Sequence, residues 1–92
     1  MSNTYRKTVT IVNELGLHAR AATLFVKVAA QYEAELIVEK GGREVNGKSI
    51  MGLLTLLAAK DSQIELIATG EDGEAQIAAL EDLISKRFME DR

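Results

Sequence analysis

The chain has 92 residues, 47% of them hydrophobic and 27% charged, with no Cys and one His. That suits one soluble domain with one core, and it excludes disulfide staples, thiol chemistry and any Cys-based or multi-histidine metal centre within the chain. The net charge of −3 argues against a nucleic-acid partner, and no apolar run approaches the roughly 20 residues that a membrane span requires.

The opening residues Met1-Ser2-Asn3-Thr4-Tyr5-Arg6-Lys7 lack the apolar core of a signal peptide, so a cytoplasmic location is expected for a single domain over residues 1–92. Residues 5–12 are rich in β-branched side chains, with Val9 and Ile11 on one side, and read as a half-buried strand. Asn13-Glu14-Leu15-Gly16 breaks that pattern. Ala22, Phe25, Ala29 and Tyr32 then recur at helical spacing, widened by Leu24 and Val28, which predicts a helix from near Ala19 to near Tyr32. Leu36-Ile37-Val38 is a second strand, Gly41-Gly42 a tight hairpin turn, and residues 43–46 a short return strand.

Gly47-Lys48-Ser49 starts a shorter helix running to about Leu57. It is apolar on two sides. Leu53, Leu56 and Leu57 are expected to face the core, and Ile50, Met51 and Leu54 to stay exposed for partner proteins, with Met51 suited to an adaptable interface. Residues 62–69, centred on Ile64 and Leu66, form a fourth strand. Gly70-Glu71-Asp72-Gly73 is a turn whose acids suit a helix start. The last helix buries Ile77, Leu80, Leu83, Ile84 and Phe88. The order β-α-β-β-α-β-α predicts an α+β, open-faced β-sandwich: a four-stranded, mainly antiparallel sheet with three helices on one face.

Charge is unevenly spread. Residues 1–46 carry a net +1 and residues 47–92 a net −4, and no acid lies between Glu14 and Glu33, where His18, Arg20 and Lys27 stand. A positive patch on an acidic chain fits an anionic ligand or an acidic partner surface.

His18 falls where a strand exit meets a helix start. At or beside the N-cap, it has the free backbone N–H groups of Ala19, Arg20 and Ala21 pointing past its ring, the positive end of the helix dipole. Arg20 adds a donor fork that matches phosphate geometry. Imidazole is a good nucleophile near neutral pH, with an ordinary pKa of about 6.5, so reversible phosphorylation of His18 is one reading and an ordinary capping histidine is the other. Ser49 also has two readings. It is a good N-cap, and it is a site where a phosphate would leave the helix intact while repelling a partner at the adjoining apolar face.

Gly-Leu-His-Ala-Arg at 16–20 and Asn-Gly-Lys-Ser-Ile-Met-Gly-Leu-Leu at 46–54 together resemble the histidine-containing phosphocarrier (HPr) family of the bacterial phosphoenolpyruvate:sugar phosphotransferase system. The resemblance extends over nearly the whole chain. It implies that His18 is phosphorylated on Nδ1 by Enzyme I, that Arg20 and the amides of Ala19, Arg20 and Ala21 support the phosphate, and that IIA proteins receive it. It further implies that Ser49 is modified by the HPr kinase/phosphorylase, with a transcriptional regulator as a further partner. Leu17, Thr23, Lys27, Ile50, Met51 and Leu54 are expected to form the partner-binding face. No cofactor and no metal are implied. Ala21 stands where many relatives carry Pro, so the helix is expected to survive with a less rigid first turn, and Leu15 stands where several carry a small polar residue that bonds the phosphate, so the backbone amides and Arg20 carry more of that contact. The alternatives are a purely regulatory module of a nitrogen-related or incomplete branch, acting through Ser49 and the apolar patch, and an unrelated small binding domain.

Overall fold

The structure is a computed structural model, and it describes residues 3–90. β1 (Thr4–Thr10), α1 (Ala19–Ala29), β2 (Glu35–Lys40), β3 (Arg43–Asn46), α2 (Ile50–Leu54), β4 (Gln63–Thr69) and α3 (Gly73–Ser85) follow in that order, and a short turn, Arg87–Met89, follows α3. The strands form one sheet in the order β1-β4-β2-β3, with every neighbouring pair antiparallel. Val9 lies opposite Ile64, Val38 opposite Leu66 and Leu36 opposite Ala68, so one face is apolar and buried. The other face carries Thr8, Glu65, Glu39 and Glu44 in one cross-strand row. α1 closes the apolar face with Ala21, Ala22, Phe25 and Ala29, and α3 with Ile77, Leu80 and Ile84. This is the expected open-faced α+β sandwich.

The elements differ from the expected ones mainly at their ends. β1 stops at Thr10, two residues early, although Ile11 N–H still donates to Ser62 O at 2.9 Å and Asp61 N–H to Ile11 O at 2.7 Å. α1 ends at Ala29 rather than Tyr32, because partners distant in sequence claim the chain beyond it. Lys48 Nζ donates to Tyr32 O at 2.7 Å, and buried Gln76 Nε2 donates to Ala29 O at 3.0 Å and Ala34 O at 3.3 Å. The Asp72 carboxylate accepts from the N–H groups of Glu33 and Ala34, each at 2.8 Å. α3 ends at Ser85, so Phe88 is not part of its stripe. Phe88 is buried from the separate turn, with φ 54°. α2 is a single turn and a half, capped by Ser49 and finished at Leu54.

The two Asp72 contacts have a pH consequence. The N–H of Glu33, opposed in part by burial and reinforced by the N–H of Ala34, holds this carboxyl below its ordinary 3.8. A depressed folded-state value means that the unfolded chain takes the proton first. The contribution is therefore fully present above about pH 4 and is lost as pH falls through the lower folded value. In urea titrations, Asp72→Asn should be less stable than the parent at pH 6 and converge with it near pH 2. Parallel curves across that range would show that the carboxylate charge does not matter.

Candidate functional site

The chain between β1 and α1 is built to present His18. Buried Asn13 donates from Nδ2 to Gly16 O at 2.9 Å and closes the turn. Gly16 has φ +66°, and a Cβ there would sit 2.5 Å from Ala58 O and 2.9 Å from Ala59 Cα. Only glycine lets the two loops come this close. Leu17 N–H then donates to Ala58 O at 2.8 Å, which ties the loop to the segment after α2.

His18 is the N-cap of α1, extended at φ −81° and ψ −178°, and its carbonyl accepts the first helical bond from Ala22 N–H at 2.8 Å. Its Nδ1 accepts the N–H of Arg20 at 3.2 Å. In the neutral ring the Nδ1 lone pair thus points at the helix start, and the proton resides on Nε2. The sequence expectation of three free amides is therefore modified: the Arg20 amide is engaged by the ring itself. The amides of Ala19 and Ala21 belong to the first turn, which has no intrahelical acceptors. The exposed Arg20 guanidinium makes no ion pair or hydrogen bond with any described residue.

The ring stands half-buried beside a shallow cavity of about 330 Å³ lined by Leu15, Leu17, Leu54, Leu57, Ala58 and Ala59. A larger depression of about 460 Å³ lies elsewhere, between β1 and α3, where Lys7 and Glu81 pair at 3.6 Å. It is lined by Thr4, Tyr5, Arg6, Lys7, Glu74 and Glu81 and contains no histidine. Near the His18 loop, Lys60 and Glu14 pair at 2.9 Å, and that hydrogen bond raises the Lys60 pKa.

The expected partner face divides. Ile50 is 36% exposed and Met51 73%, while half-buried Leu54 reaches the His18 cavity. Leu17 does not belong to an open surface. It is 5% exposed and packs in the core, with one edge in the cavity wall. Thr23 is half-buried and donates its hydroxyl to Ala19 O at 2.8 Å. Lys27 is exposed but nine residues along the helix, about 13 Å from the His18 end. Ser49 Oγ accepts the N–H of Gly52 at 3.0 Å, so it does cap α2. Leu57, expected in the core with Leu53 and Leu56, is 82% exposed. The chain turns left-handed there, φ 51°, to bring Ala58 O to Leu17 N–H. Wheel geometry assumed the helix continued that far, and it does not. Asn13 was missed altogether, although an Asn three residues before a Gly is a signal for a side-chain-closed turn.

Residues 5–86 match the family described as "PTS HPr component phosphorylation site". The chain is 47% identical to the phosphocarrier protein HPr of Neisseria meningitidis, over 92% of this chain and 96% of that protein. It is 36% identical to the HPr of Treponema pallidum, over 92% and 97%. Among solved structures, an HPr from Thermoanaerobacter tengcongensis superposes with a TM-score of 0.91 at 42% identity, covering 96% of this chain and 99% of that one. With its motifs, its fold and these likenesses in agreement over nearly its whole length, the chain belongs to the HPr family, the phosphocarrier proteins of the phosphotransferase system.

Proposed function

We propose that this chain, as one carrier domain over residues 1–92 working in the cytoplasm, accepts a phosphoryl group from phosphorylated Enzyme I on His18 and passes it to IIA proteins. The observation that carries the reading is the Nδ1 lone pair of His18 aimed at the start of α1. In the transfer, Nδ1 forms a bond to phosphorus as the donor's bond to phosphorus breaks, and that electron pair returns to the donor. The new bond uses the lone pair that now holds the Arg20 N–H. That N–H is freed for a phosphoryl oxygen, beside the amides of Ala19 and Ala21, and the helix start favours the added negative charge. The unpaired Arg20 guanidinium supplies a charge-assisted contact. No cofactor or metal enters the scheme. Incubation with phosphoenolpyruvate and Enzyme I, followed by intact mass and acid treatment, tests it. An acid-labile gain of one phosphoryl group is expected, and no gain would leave the regulatory-module reading.

The same reading assigns Ser49 as the residue modified by the HPr kinase/phosphorylase, with a transcriptional regulator as a further partner. Ser49 adjoins Ile50 and Met51, the exposed apolar side chains of α2. Ser49→Asp should keep α2, because Asp caps as well as Ser and its charge suits a helix start. It should slow phosphorylation of His18 several-fold by weakening the association with Enzyme I, and salt should partly relieve the defect. Early melting together with slow transfer would mean that Ser49 is a cap that Asp does not replace.

A further inference from the structure

Leu57 is a costly residue for the fold. Its φ of 51° is left-handed, which crowds a leucine Cβ against its own backbone, and its side chain is 82% exposed. Glycine would make the same turn without strain. Leu15, 66% exposed on the facing loop, is likewise almost unused by the core. The bond from Leu17 N–H to Ala58 O and the close approach of Gly16 hold the two loops together, and both leucines line the cavity beside His18. Leu54 joins this rim to α2, whose Ile50 and Met51 continue the exposed apolar surface.

We infer that Leu57 is a contact and specificity residue of the phosphoryl transfer. With Leu15 it forms an apolar rim beside His18, against which the donor protein packs an apolar side chain as its phosphoryl group reaches Nδ1. The inference rests on the carrier reading above. The occupant follows from position: whatever covers the rim also covers the nucleophile, so it is a protein that exchanges a phosphoryl group with His18, and the donor is the one that must seat first on the unphosphorylated ring. A bare phosphate gains nothing from leucine, whereas a protein surface gains from burying both leucines together with Leu54 and Met51.

The test compares Leu57→Gly and Leu57→Met with the parent, using phosphorylated Enzyme I as one donor and phosphoramidate, which brings no protein surface, as the other. Leu57→Gly should melt roughly 4 °C higher, because the strain is relieved. Its apparent KM for phosphorylated Enzyme I should rise about tenfold, the scale of one buried leucine, with a smaller change in kcat. Leu57→Met should recover most of the KM. An unchanged KM in Leu57→Gly would overturn the proposal. So would an equal loss with phosphoramidate, which would place the effect on His18 itself, or faster loss of phosphate after loading, which would make the rim a water shield. Failure of the parent chain to take phosphate from either donor would instead remove the carrier reading, and this inference with it.

Discussion

Replacing His18 with Ala should abolish phosphoryl acceptance while the chain stays folded. It is the only His in the chain, so no other imidazole can stand in. The ring is half-buried at a helix start and absent from the core cluster. What the fold loses is an N-cap contact, the one from Arg20 N–H to Nδ1, worth about 1 kcal/mol. His18→Asn separates the two roles, because Asn is a good cap and has no nucleophilic ring nitrogen. Both variants should show no mass gain after incubation with phosphoenolpyruvate and Enzyme I. His18→Asn should melt within about 2 °C of the parent, and His18→Ala roughly 4–8 °C lower. An acid-labile phosphoryl group on either variant would move the site away from His18.

Gly16→Ala should do the greatest damage to the fold for the fewest added atoms. A left-handed conformation costs a non-glycine residue on the order of 1–2 kcal/mol. The new methyl would also stand 2.5 Å from Ala58 O and 2.9 Å from Ala59 Cα, backbone atoms that cannot swing aside as a side chain does. Relief would require the two loops to part, stretching the 2.8 Å bond from Leu17 N–H to Ala58 O. Together these should cost about 3 kcal/mol or more, a fall in melting temperature on the order of 15 °C. Transfer should fall as well, since His18 follows directly on the displaced residues. A Gly16→Ala protein that melts within 2 °C of the parent would show that the loops separate freely.

The placement of the candidate site's residues was legible along the chain because they are neighbours in sequence. A histidine, two alanines and an arginine at one helix start, and a serine at another, place their groups through backbone geometry alone, and His18 and Ser49 do cap α1 and α2. The sheet was equally legible: its alternating β-branched strands, the Gly41-Gly42 turn and the β-α-β-β-α-β-α order left few ways to bury one apolar face. Helix ends were not, because they are settled by partners far away in sequence. Tyr32 continues the apolar period of α1, yet Lys48, Asp72 and Gln76 take carbonyls and amides between Ala29 and Ala34, and these five bonds outweigh the propensity of one more turn. Leu57 makes the same point from the surface. A helical wheel puts it beside Leu53, but the pull of Ala58 O toward Leu17 N–H reverses the chain there and turns the side chain outward beside His18. Residues close in sequence place the candidate site's polar groups through local geometry, whereas its apolar rim depends on two loops some 40 residues apart, and only packing in three dimensions brings those together.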